Sequence, residues 1–172
     1  ITSVTYGYIN GAGRYYRGAD FQTGARFLTD NAGDFFVNLS IAYVDDERRS
    51  DTPGDPYVTI MEQERRLRSR SYLSASWTKN DWAAGVSTSR IGSMNYQSPR
   101  WDGKPNTKID PYYDIGAFVR YDIEDGHYVA LSVSNLMDDV PKKNSDLGWP
   151  WFATYYYSPV GRELFLTYRY TF

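Results

Sequence analysis

Residues 161–172 read GRELFLTYRYTF, and their character alternates residue by residue up to an aromatic at position 172. In an extended chain Leu164, Leu166, Tyr168, Tyr170 and Phe172 fall on one face. Glu163, Thr167 and Arg169 fall on the other, with Phe165 as the apolar exception. The stretch reads as a strand with one face suited to hydrocarbon and the other to water. A soluble domain that ended on such a strand would leave an aromatic edge open to fraying and aggregation. A closed outer-membrane barrel zips its last strand to its first and has no such edge.

The same period of two recurs upstream. Residues 1–10 alternate and stop at Asn10-Gly11, a turn signal. Residues 14–28 set Tyr15, Ala19, Phe21, Thr23, Ala25 and Phe27 against Asp20, Gln22, Gly24 and Arg26. Residues 35–44 set Phe35, Val37, Leu39, Ile41 and Tyr43 against Asn38, Ser40 and Ala42. Further strands are expected from Leu67 to Trp77, from Asp81 to about Arg90, over 109–123 and over 128–135, which with 161–172 predicts eight. Short turns fall at 29–34, at Lys79-Asn80 with a hairpin signal, and at 124–127. Residues 45–63, 92–107 and 136–160 read as long loops, so tight turns fall at one end of the strands and long loops at the other. Outer-membrane barrels show that asymmetry.

Composition agrees with one all-β domain over residues 1–172, with no linker. Aromatics make up 17% of residues, including 17 Tyr and 5 Trp, which suits a barrel girdled by rings. The mean hydropathy of −0.60 is no objection, because a barrel wall needs apolar residues only at alternate positions. No apolar run approaches the roughly 20 residues of a membrane-spanning helix. The absence of cysteine excludes disulfides and thiolate metal sites, and a net charge of −2 excludes a general footprint for nucleic acid. Because the sequence opens at Ile1 without a signal peptide, a mature chain or a piece of a longer one is expected.

Alternation alone does not say which face meets water. The aromatics decide. With the tight turns on the periplasmic side, Phe27, Phe35, Trp77, Trp82, Tyr121, Tyr170 and Phe172 mark one end of the apolar face. Tyr15, Tyr43 and Tyr113 mark the other, with Leu, Val, Ile and Ala between. Two belts of this kind are what the two bilayer interfaces select. An antiparallel transmembrane β-barrel is therefore the expected fold.

From about residue 109 onward the chain resembles the carboxyl end of a TonB-dependent outer-membrane receptor. The residues that carry the resemblance are LSVSNLMDDVP (131–141), Trp149-Pro150, YYYSP (155–159) and GRELFLTYRYTF. YYRGADFQTGARF (15–27), with Gly18 and Asp20, resembles the Gly-x-acidic start of a strand in the same family. The resemblance implies a barrel of about 22 strands, of which these would be the last eight. It also implies an amino-terminal plug inside that barrel, a drive from TonB, and uptake of a bulky ligand such as a ferric siderophore. Those first strands and the plug have no counterpart in the 172 residues. The implied partners are outer-membrane lipid, the remaining strands and plug of the same receptor, TonB through that plug, and the barrel-assembly machinery. Tyr168, Tyr170 and Phe172 would be the signal that machinery reads.

Asp20, Arg26, Arg68, Arg70, Asp114, Arg120, Asp122 and Arg169 are expected to face the lumen, where contact with plug or water is a structural role and solute conduction the sharper one. Arg90, Tyr96, Trp101, Trp149 and Trp151, expected in long loops, combine rings and guanidinium as a bulky anion would require. Loop packing is the plainer account of any one of them. Asp45, Asp46, Glu47 and Asp51 could hold a hard cation or simply be solvated. His127, the one histidine, is expected as a solvated turn residue. It supports neither a metal cluster nor a catalytic triad, so no enzyme, metal or cofactor is expected. ERRLRSR would be split between two faces of a strand, and GYINGAGR precedes no helix, so neither nucleic acid nor a phosphate cradle is indicated. The competing expectation is a complete eight-stranded barrel with a structural or adhesion role. Its narrow interior would be filled by Phe118, Phe165 and Tyr72.

Overall fold

The computed structural model describes residues 13–61, 66–96, 107–143, 149–154 and 156–171. Its strands are β1 (Arg14–Phe27), β2 (Asp34–Arg49), β3 (Val58–Thr59), β4 (Ser69–Lys79), β5 (Trp82–Ile91) and β6 (Met94–Tyr96). There follow β7 (Thr107–Ile109), β8 (Tyr112–Ile123), β9 (His127–Ser134) and β10 (Glu163–Arg169). Strands β1, β2, β4, β5, β8, β9 and β10 lie side by side in that order, each antiparallel to its neighbours, and β3 adds to β2 to make an eight-stranded sheet. Among the described residues the fold is all-β without an α-helix, and the sheet is open between β1 and β10. The strand expected over 1–10 lies outside the described residues, as does Phe172. The eighth strand here is β3, within a stretch expected to be loop.

That stretch needs correcting at its start as well, because β2 runs on to Arg49 through a register shift at Arg17/Gly18. Its charges do not end the strand, because each carboxylate is paired: Asp45 with Arg17 and Glu47 with Arg14 on β1, and Asp46 with Arg48 along β2 itself at 2.7 Å. The expected loop over 92–107 likewise has a paired base, β6 with β7, so residues 107–109 leave the main sheet. The sheet resumes at Tyr112, after Pro111, which has no N–H to give to a ladder.

All three tight turns sit at one end. At the first, Gly33 has φ +91°, and a Cβ there would stand 2.4 Å from the Thr78 carbonyl oxygen. The Thr29 hydroxyl donates to the Gly33 carbonyl at 2.6 Å and accepts from the Ala32 N–H at 3.1 Å. Asn80 takes the left-handed conformation (φ 51°) at the second, and a 3-10 turn at Glu124–Gly126 makes the third. The long connections lie at the opposite end.

Register turns the alternation into two faces, since directly opposite residues share a face. One row across the sheet reads Ala25, Val37, Ala75, Val86, Ala117, Val133, Leu164. The next, nearer the tight turns, reads Phe27, Phe35, Trp77, Ala84, Val119, Leu131, Leu166. The opposite face reads Gln22, Ser40, Tyr72, Ser89, Asp114 in one row and Gly24, Asn38, Ser74, Ser87, Gly116 in another. Large residues of the apolar face are exposed from edge to edge, among them Phe27, Leu73, Val86, Leu131 and Leu166. No large side chain among the described residues is completely buried. Among the described residues the one buried apolar cluster lies at the loop end, where Met94, Ala153 and Tyr157 pack with Ile91, Ile109, Tyr112 and Phe152.

Candidate functional site

The polar face is a wall of small hydroxyls interrupted by rings. Ser74, Ser76, Ser87, Ser89, Ser132 and Ser134 line a trough of about 660 Å³ with Tyr72, Phe118 and Phe165. Phe118 fits because its partner in register is Gly85, where a Cβ would stand 2.5 Å from the ring. The alternation of β1, β4, β8 and β10 puts Asp20, Arg26, Arg70, Asp114, Arg120, Asp122 and Arg169 on this face, and Arg68 extends the same series just before β4.

Several of these charges are already engaged. Arg26 pairs with Asp34 at 3.0 Å, and Arg120 pairs with Asp122 at 2.8 Å while lying 5.3 Å from the centre of the Tyr128 ring. Asp114 accepts the Asn135 backbone N–H at 3.1 Å. Asn135 is buried and left-handed (φ 48°), and its side chain donates to the Asp139 carbonyl at 2.6 Å and accepts the Asp139 N–H at 2.9 Å. The same amide reaches the Val160 carbonyl at 3.4 Å, and the Asp138 carboxylate accepts the Arg162 N–H at 2.7 Å. The Asn-Leu and acidic residues of 131–141 thus fasten the start of the last long loop to its end.

Arg90 is corrected from loop to strand: it is in β5, on the apolar face at the loop end. Its guanidinium donates to the Tyr113 hydroxyl at 3.2 Å and to the Ser69 hydroxyl at 3.0 Å, a long stem lying along apolar surface with its charge at the rim. Trp149 and Trp151 are in the last loop and exposed, with a cis peptide at Trp149-Pro150. Tyr96 ends β6, its side chain lies outside the described residues, and so does Trp101.

Asp45, Asp46, Glu47 and Asp51 are each held by an arginine, Asp51 by Arg49 at 2.6 Å. Among the described residues no group of three or more acidic or histidine side chains could hold a metal ion. His127 is corrected from solvated turn to strand. It opens β9 on the apolar face, its ring centre 4.2 Å from that of Tyr170 and its Nδ1 3.4 Å from the Tyr168 hydroxyl.

Arg14, Tyr16, Arg66 and Tyr156 were not singled out in the sequence, yet with Arg68 and Arg70 they line one pocket at the loop end of the polar face. ERRLRSR carried half of that signal. The other half depends on Tyr156 arriving from far along the chain, which no local pattern reveals. Comparison with family models, with curated proteins and with solved structures finds no match.

Proposed function

We propose that this chain is the carboxyl-terminal part of the barrel wall of a TonB-dependent outer-membrane receptor, importing a bulky ligand such as a ferric siderophore. The observation that carries the membrane part is the exposed apolar face, continuous over neighbouring strands and edged by rings. Trp82 and Tyr121 pack at 4.8 Å near the tight turns, and Tyr43 and Tyr113 stand near the long loops. In water that face would be an aggregation surface, and in a bilayer it is the ordinary outer surface of a barrel. Strands β4, β5 and β8, of 11, 10 and 12 residues, match the roughly 9–11 that a tilted strand needs to cross hydrocarbon. The exposed rings and unfilled trough of the polar face favour a wide barrel over a narrow one, whose interior side chains fill completely. The receptor family itself is supported by the sequence resemblance alone.

The chain has no cysteine, so single cysteines report facing without background. In isolated outer membranes, Leu39→Cys, Val86→Cys and Leu131→Cys should resist a water-soluble maleimide, while Ser40→Cys, Ser87→Cys and Ser132→Cys react. Equal labelling of both sets sinks the membrane reading. Efficient disulfide formation between Val4→Cys and Leu166→Cys would instead identify a small closed barrel. Uptake that persists in cells without TonB would remove the receptor assignment.

A further inference from the structure

At the loop end of the polar face lies a pocket of about 580 Å³ lined by Arg14, Arg66, Arg68 and Arg70, with Tyr16 and Tyr156 as its rings. Glu47 is its one carboxylate among the described residues, and it is already held by Arg14 and, at 3.7 Å, by Arg66. Arg68 and Arg70 have no carboxylate partner among the described residues, and the Arg70 guanidinium lies 5.6 Å from the centre of the Tyr156 ring. Arg70 lies in β4, Arg68 at the bend just before it and Arg66 two residues further back, and the lining gathers all three. The pocket therefore holds three more positive than negative charges in its lining (four arginines against one glutamate). Like charges gathered in a concave, partly desolvated place raise local potential and attract an anion. Guanidinium forks bind carboxylate or phosphate through paired N–H donors, and a ring beneath a guanidinium holds the fork in one plane.

We propose that this pocket binds a soluble ligand bearing at least two carboxylate or phosphate groups, gripped by Arg68 and Arg70 and flanked by Tyr16 and Tyr156. That the pocket stands at the outer mouth of a lumen rests on the reading above, but the anion chemistry does not. The test is titration calorimetry on the full chain in detergent with two probes, propane-1,2,3-tricarboxylate and inorganic pyrophosphate. Saturable binding of either supports the pocket and identifies its group as carboxylate or phosphate. The affinity should fall at least tenfold in the Arg68→Gln/Arg70→Gln double variant and weaken as salt rises. Arg26→Gln, on the same face at the far end, should bind as the parent does. Should the double variant fail to fold, Arg68→Lys/Arg70→Lys keeps the charge and should still lose several-fold in affinity, because lysine lacks the fork. No binding of either probe at millimolar concentration, or parental affinity in the arginine variants, overturns the proposal. Binding that persists where the cysteine pattern fails would leave the pocket standing and remove the membrane reading. The reverse result removes only the pocket.

Discussion

At the loop end Met94 and Tyr157 are 3% and 7% exposed, whereas Leu73 and Val86, on strands flanked by others on both sides, are 43% and 49% exposed. The loop-end cluster carries its own small core, with Tyr112 packed edge-on against Tyr157 at 5.2 Å. The main sheet carries none among the described residues. Its ladders satisfy the backbone, but its apolar side chains gain burial only from whatever covers the face. The cap should therefore respond to its own packing, and the wall to its surroundings.

The largest expected effect is in the wall. Leu39→Arg puts a charge on the apolar face between Thr23 and Leu73, and in a bilayer it should cost about 2–4 kcal/mol of assembly. Ser40→Arg, one residue along and on the polar face, should refold as the parent does. Equal folded yields in liposomes would break the comparison. In the cap, Met94→Ala should cost about 2–3 kcal/mol, felt locally. Hydrogen exchange should quicken in residues 91–96 and 107–112 while β1 and β2 stay protected, and uniform quickening would mean that wall and cap open together.

Gly33→Ala forces a side chain into a left-handed turn and against the Thr78 carbonyl, at about 1–2 kcal/mol. A denaturation midpoint unchanged from the parent would show that the turn can shift. The smallest effect belongs to Arg17→Gln. Its ion pair with Asp45 is exposed, so refolded yield should not change. A clear loss would assign the loop-end charges a structural weight that their exposure argues against.

The wall was legible in the sequence because period-2 alternation is local and each strand reports its own facing. Thr88 in β5, with Leu73 and Ile115 opposite, is a polar residue tolerated within the apolar row because the rest of the row fixes the register. Charge misled the boundaries. Asp45 to Arg49 look like loop until the β1 arginines that hold Asp45 and Glu47, and the pairing of Asp46 with Arg48 along the strand, are known. Arg90 reads as loop and His127 as a solvated turn because neither shows in sequence the rings that receive it. The basic pocket was half visible, as arginines at alternate positions, and its other wall is supplied by residue 156 from within the last long loop.

Asn135 has a consequence for how this sheet can change over generations. By holding Asp139 and Val160 together while Asp138 holds Arg162, it closes the neck of the last loop before the chain enters β10. The register of the final strand is then set at the neck, and the length of chain beyond it is nearly irrelevant, since loop-closure cost grows only slowly with length. The segment between 140 and 159 can change in length without moving β10, provided that Ala153 and Tyr157 keep their places in the loop-end cluster, and Leu164 and Leu166 keep the same partners on β9.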